Sequence, residues 1–249
     1  MHVILLRGLA REGAHWMQFP EQLRNALGED YQIHCIDFPG CGSRYRQTAL
    51  NSIPAMTDYA RMQLAAQKID GPVHVIGISM GGMIALNWAQ QFPRELASVA
   101  LINSSAGDQP LYWRLRPRIW LSTLAALLLP TSLRERLVLR NVSNDRKNFA
   151  ANLQQWLSIQ QQRPVTRSTI ITMLGAAARF RPSANCAVNG LVIASQGDNF
   201  VSANASEDLA QRFQWPLKLH STAGHDIPMD APDWLSENLA QWLTTHQAR

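Results

Sequence analysis

Gly77-Ile78-Ser79-Met80-Gly81 places one hydroxyl between two glycines, at the end of the apolar run PVHVIGI and directly ahead of MGGMIALNWA. A serine held at a sharp strand-to-helix turn can attack a carbonyl carbon, provided a base takes its proton and N–H groups meet the oxyanion that forms. Glycines two before and two after give the chain room to reverse, because a β-carbon at either place would meet the neighbouring strand or helix. The reversal forces Ser79 into a strained backbone conformation. It also sets the Met80 N–H at a helix N-terminus beside the hydroxyl, which makes Met80 the first candidate oxyanion donor.

A serine alone is a weak nucleophile, so a base and an acid that orients it must come from later loops at the same edge of the sheet. His225 lies in Ser-Thr-Ala-Gly-His-Asp-Ile-Pro, between the last strand and the last helix. That is the place of a general base, and an imidazole titrates near neutrality. His220 closes a strand and His246 sits near the end of the chain, so both are read as structural or solvated. Asp198 follows GLVIAS in Gln-Gly-Asp-Asn-Phe-Val and precedes the histidine, which makes it the preferred acid. Asp108, after the preceding strand, is its rival; Asp226 adjoins the histidine and is expected to point elsewhere. Gly8-Leu9 follows the first apolar run, and the Leu9 N–H is the second candidate donor. The chemistry requires no metal and no organic cofactor.

These residues need a sheet whose strands all end on one side. Val- and Ile-rich runs at 2–7, 31–37, 72–78, 98–103, 190–195 and 216–221 are mostly apolar on both faces, as parallel strands covered on both sides must be. Helical patterns at 15–27, 57–69, 81–92, 204–213 and 231–245 alternate with them, which predicts crossover connections and a doubly wound sheet. The alternation breaks between 103 and 190. There RIWLSTLAALLL, FAANLQQWLSIQQ and TRSTIITMLGAAARF predict three helices separated by Pro130, Pro164 and Pro182. The expected organisation is a core of 1–106 and 187–249 with a helical lid at 107–186. Trp113, Trp120, Leu124 and Trp156 of the lid, with Phe200 of the acid loop, are the candidate walls of an acyl pocket.

With 249 residues, 46% apolar and 16% charged, the composition excludes a disordered chain. MHVILLRGLA lacks a basic lead and a small-residue cleavage site, so export is not expected. The longest aliphatic run, at 120–130, is about half of the roughly 20 residues a membrane span needs. Three cysteines stand far apart (Cys35, Cys41, Cys186), which suits a reducing cytoplasm and structural thiols. Charge is distributed unevenly. Residues 108–183 hold twelve Lys or Arg against three Asp or Glu, a net +9, which leaves −4 for the rest of a chain whose total is +5. Such a segment suggests an acidic partner. Nucleic acid ranks last, because the arginines are interleaved with apolar helix faces and match no reading motif.

GISMGG, IDFPGCGSR at 36–44, GDNFV and AGH stand in the order and spacing of the α/β-hydrolases, which the chain resembles everywhere outside the lid. The resemblance implies a three-layer α/β fold, a triad of Ser79, Asp198 and His225, and oxyanion donors Leu9 and Met80. The chain departs from the pattern in carrying Arg7-Gly8 where the family usually has His-Gly, and Cys41 where the loop histidine stands. It also opens on what is usually the third strand, so about six mainly parallel strands are expected, without the opening antiparallel hairpin. The basic lid is similar to that of small-lid carboxylesterases, including those that hydrolyse the methyl ester of pimeloyl carrier protein. This implies a carboxylic ester as substrate, or an acyl thioester or carrier-bound ester with an acidic carrier protein as partner. A carbon–carbon bond hydrolase or lyase with the same triad, and a ligand-binding member without turnover, are the competing readings.

Overall fold

The computed structural model describes residues 1–246; the last three residues of the predicted core segment, 247–249, lie outside the described residues. The strands are β1 (His2–Leu6), β2 (Gln32–Ile36), β3 (Val73–Ile78), β4 (Leu96–Ile102), β5 (Gly190–Ser195) and β6 (Leu217–His220). They form one sheet in the order β2-β1-β3-β4-β5-β6, and each neighbouring pair is parallel. Central β3 and β5 are buried along their whole length, while the edge strands β2 and β6 are partly exposed. That is why VHVIGI and GLVIAS read as unbroken apolar runs and QIHCI and LKLH do not.

The helices are α1 (Phe19–Leu27), α2 (Ile53–Ala66), α3 (Met80–Gln91), α4 (Leu111–Arg114), α5 (Trp120–Leu128), α6 (Thr131–Val142), α7 (Phe149–Gln162), α8 (Arg167–Arg179), α9 (Ala203–Phe213), α10 (Ile227–Asp230) and α11 (Pro232–Thr245). Alternate residues of β1 face opposite layers. Val3 and Leu5 join Leu23 of α1 and Leu239 of α11, whereas Ile4 and Leu6 join Met56 of α2, Ile84 of α3 and Leu209 of α9. Chain order reverses between β1 and its two neighbours, so the loops after β1 and β3 diverge at the carboxyl edge of the sheet. A crevice opens at such a switch point. Among the described residues no helix is long and apolar enough to cross a membrane.

Helices α4 to α8 fill the break in alternation, between β4 and β5. Two of them, the single-turn α4 and the longer α6, are absent from the reading of the sequence. TSLRERLVLRNV shows four charged residues and no clear apolar stripe, and two of those charges, Arg134 and Glu135, turn out to be buried. Two predicted helix starts also move. Helix α2 begins at Ile53 because Ser52 caps it, its hydroxyl accepting from the Ala55 N–H at 3.3 Å, with Pro54 in the first turn. Residues Gly13–Trp16 form a short 3₁₀ turn, and α1 starts only at Phe19.

The strand that leads to Ser79 contains a titratable group with a readable effect on stability. His74 in β3 is 1% exposed, and its Nδ1 lies 2.8 Å from the Ser98 hydroxyl of β4. Burial, aided by His246 and the N-terminal charge, lowers its pKa to about 4. A histidine held neutral in the fold but free to protonate when unfolded contributes stability above the unfolded pKa near 6.5, and loses it as pH falls. Acidification from pH 7 to 5 should therefore cost about 2 kcal/mol through His74 alone. Urea midpoints measured across that range should slope downward, and more shallowly in His74→Gln; equal slopes would refute the assignment.

Candidate active site

Ser79 follows the last residue of β3 and precedes the first of α3, with φ 56° and ψ −120°. A positive φ is strained for a residue with a side chain, and the surroundings enforce it. The Ser79 N–H donates to the Ile102 carbonyl at 2.8 Å, and the Ser104 hydroxyl donates to the Ser79 carbonyl at 2.8 Å. A β-carbon on Gly77 would collide with the Gly81 carbonyl, and one on Gly81 with the Leu6 carbonyl. These two glycines let strand, helix and β1 approach closely enough to hold the turn. Met80 is the first residue of α3, so its N–H has no intrahelical acceptor. Gly8 packs against the turn from the loop after β1, where an added Cβ would stand 3.2 Å from Ser79 Cβ.

His225 and Asp198 meet at the carboxyl ends of β6 and β5. His225 Nδ1 lies 2.7 Å from Asp198 Oδ2, and the two side chains are 9% and 1% exposed. The second carboxylate oxygen, Oδ1, accepts the Phe200 N–H at 2.6 Å and the Val201 N–H at 2.9 Å. The Phe200 ring lies 5.2 Å from the imidazole, centroid to centroid. Ser79, Met80, Leu9, His225 and Phe200 all line one cavity of about 390 Å³, a volume suited to a small ligand. Among the described residues no hydrogen bond joins the Ser79 hydroxyl to the imidazole, a contact that in ligand-free sites often tightens only with substrate. Nor do three His, Cys, Asp or Glu residues group there as a metal ligand set.

The rival groups are engaged elsewhere. Asp108 is paired with Arg212 at 2.8 Å. Asp226, expected to point away from the histidine, takes a two-pronged bond from Arg7, at 3.1 and 2.6 Å. His220 Nδ1 accepts from the Ala223 N–H at 2.9 Å, and its ring stands edge-on to Trp234. Burial pushes the Cys41 thiol up to about 12, leaving it inert at neutral pH.

The pocket walls need correction. Trp156 and Phe200 line the cavity; Trp113, Trp120 and Leu124 do not. Helix α5 turns Ser122, Thr123, Ala126 and Leu127 inward, which leaves Trp120 and Leu124 on its opposite face, 43% and 60% exposed. The Trp120 indole N–H donates to the Leu115 carbonyl at 2.9 Å. Trp113 borders a separate surface hollow with Tyr112 and Arg116.

Several residues that hold the site were not singled out in the sequence. Asn103, the residue after β4, at φ 43°, donates to the His225 carbonyl at 2.8 Å and accepts from the Ser195 N–H at 2.9 Å. Asn144, just beyond α6, donates to the Gly197 and Thr222 carbonyls, each at 2.9 Å, and so ties the acid loop to the histidine loop. Asp230 accepts from Ser143, Asn144 and Gly224, at 2.6, 2.7 and 2.6 Å; burial raises its pKa. A positive-φ asparagine has a weak local signature, but the others show none, since their partners are distant in sequence.

Comparison with known proteins agrees with this architecture. The chain is 27% identical over 240 residues to a pimeloyl-[acyl-carrier protein] methyl ester esterase of Chromobacterium violaceum, covering 95% of this chain and 81% of that one. It is 23% identical over 239 residues to the protein of the same description from Nitrosomonas europaea, covering 95% and 82%. A thermophilic esterase from Thermogutta terrifontis, 19% identical, superposes with a TM-score of 0.76 over 99% of this chain and 91% of its own, and so shares the fold. The sequence profile of the alpha/beta hydrolase family matches residues 3–238. With that match spanning nearly the whole chain, and a six-stranded parallel sheet carrying a serine at the β3–α3 turn, the chain belongs to the alpha/beta hydrolase family.

Proposed function

We propose that this chain hydrolyses carboxylic esters through an acyl-enzyme on Ser79. The observation that carries the reading is the 2.7 Å bond between His225 Nδ1 and Asp198, with Ser79 on the same cavity wall at a strained turn. Asp198 fixes the imidazole so that Nε2 is the nitrogen free to take the Ser79 proton. Ser79 Oγ then bonds to the acyl carbon, and the Leu9 and Met80 amides receive the oxyanion. The imidazolium returns its proton to the departing alcohol as the C–O bond breaks. Water, deprotonated by the same histidine, releases the acid and restores Ser79. In this reading residues 107–186 are a lid over a core of 1–106 and 187–249.

A fluorophosphonate probe tests the nucleophile: wild type should be labelled at Ser79 and Ser79→Ala should not, and no labelling, or equal labelling of both, overturns the reading. A panel of p-nitrophenyl esters beside acyl thioesters of matched length then separates ester from thioester preference.

An acidic carrier protein as partner is a finer proposal. The relatives' description supports it, as do exposed Arg118, Arg136, Arg140 and Arg167 beside the exposed Leu121, Leu124 and Leu128 of α5. Surface charge attraction is screened by salt. Turnover of a carrier-bound acyl group should fall steeply between low and physiological salt while a small neutral ester is unaffected; identical salt profiles would count against the carrier.

A further inference from the structure

The inserted helices turn charge inward as well as outward. Four arginines line the cavity, Arg7, Arg11, Arg114 and Arg134, against two acids, Glu135 and Asp226. Asp226 is occupied by Arg7, and Arg114 directs its Nη atoms to the Gly107 and Ala177 carbonyls. Arg11 and Arg134 are left to share Glu135, which accepts from Arg11 Nη1 at 2.7 Å and from Arg134 Nε at 3.3 Å. Arg134 and Glu135 are 6% and 2% exposed. Arg134 Nη2 makes only long bonds, 3.4 Å each, to Gln160 Oε1 and the Val165 carbonyl, and its Nη1 has no hydrogen-bond partner among the described residues. Arg11 lies over the Trp156 ring, 4.2 Å from its centroid, which fixes the guanidinium against the cavity wall.

The buried Arg134 guanidinium and that of Arg11, whose side chain is 10% exposed, share one carboxylate and leave an uncompensated positive charge, which is unfavourable away from water and is relieved by a second anion. A guanidinium offers donors in a planar fork that matches a carboxylate. The geometry points to an anion subsite at Arg11 and Arg134 that receives a carboxylate at the far end of the substrate's acyl chain. The inference rests on the ester-hydrolase reading, which sets the reacting carbonyl at Ser79. Leu9, Arg11, Arg134 and Ser79 line the same cavity of about 390 Å³, so an acyl chain short enough to lie within it runs from the oxyanion donors to the anion subsite. The substrate class is then a monoester or monothioester of a short dicarboxylic acid.

The test compares p-nitrophenyl monoesters of dicarboxylic acids with p-nitrophenyl esters of monocarboxylic acids of equal length. Both series are run on wild type, Arg134→Met, Arg134→Lys and the double variant Arg134→Met/Glu135→Gln, which keeps the cluster's net charge and covers a failure of Arg134→Met to fold. Wild type should favour the carboxylate-ended chain by roughly tenfold to a hundredfold in kcat/KM. That ratio should approach one in Arg134→Met, where Arg11 and Glu135 neutralise each other, and should fall but survive in part in Arg134→Lys and in the double variant, where Arg11 keeps its charge. Preference for the neutral chain in wild type, or an unchanged ratio in the Met variants, overturns the subsite. Calorimetric binding of a dicarboxylic acid monomethyl ester to Ser79→Ala reads the subsite without turnover. Affinity lost on adding Arg134→Met supports it and equal affinity overturns it. If no ester is hydrolysed while Arg134-dependent binding persists, the Ser79 reading fails and the anion subsite stands.

Discussion

Ser79→Ala should lower ester turnover by about 10⁴–10⁶-fold while changing stability by less than about 1 kcal/mol. The two effects separate because the turn is held by backbone and not by the hydroxyl. The Ser79 N–H bond to Ile102 and the Ser104 bond to the Ser79 carbonyl survive the substitution, and the constraint at Gly77 and Gly81 is untouched. What disappears is the atom that forms the covalent bond. The residual rate then comes from binding and from the oxyanion donors alone. Ser79→Gly sharpens the point. Glycine adopts a φ of 56° without strain, so that variant should be as inactive as the alanine one yet more stable than it, by roughly 1 kcal/mol. Single-turnover kinetics with a p-nitrophenyl ester, beside urea unfolding of all three proteins, reads both quantities. An alanine variant within tenfold of wild type would remove Ser79 from the chemistry.

The parts of this site that were legible in the sequence are those written in local pattern. An unbroken apolar run announced β3, and glycines spaced around a serine announced the turn. GDNFV and AGH each followed a strand-like run and so fell at the carboxyl edge, where the structure places Asp198 and His225. The hydrophobic walls were less legible. Which side of α5 faces the cavity depends on how its neighbours pack, so Trp120 and Leu124 were assigned to a pocket that the opposite face lines. Least legible was α6. Its mixed charges resemble a solvated surface helix, and only the tertiary arrangement shows Arg134 and Glu135 meeting Arg11, 124 residues away from Glu135 in sequence. Asn144 and Asp230 were hidden for the same reason, since a polar residue's role is set by partners that no local period predicts.

Arg7, at the position where the resemblance to the α/β-hydrolases implies a histidine, yields the second large effect. Arg7→Met should destabilise the chain by about 3–5 kcal/mol, because it leaves the Asp226 carboxylate buried without its cation. Both side chains are 4% exposed, and the guanidinium also lies over the Trp16 ring, 4.8 Å from its centroid. A buried pair can be replaced by matched apolar groups at little cost, so Arg7→Met/Asp226→Leu should recover most of the lost stability. Activity should not recover with it. Arg7 immediately precedes Gly8-Leu9, and Asp226 immediately follows His225, so the pair joins the loop that carries an oxyanion donor to the loop that carries the base. An apolar replacement fills the space without fixing the two loops in register, and misplacement by about 1 Å can cost on the order of a hundredfold in rate. The expected signature is a double variant with near-normal urea midpoint, a small change in KM and a kcat lowered at least tenfold. Recovery of kcat together with stability would show that the pair only fills space between the loops, and that Asn103, Asn144 and Asp230 hold the histidine loop in place without it.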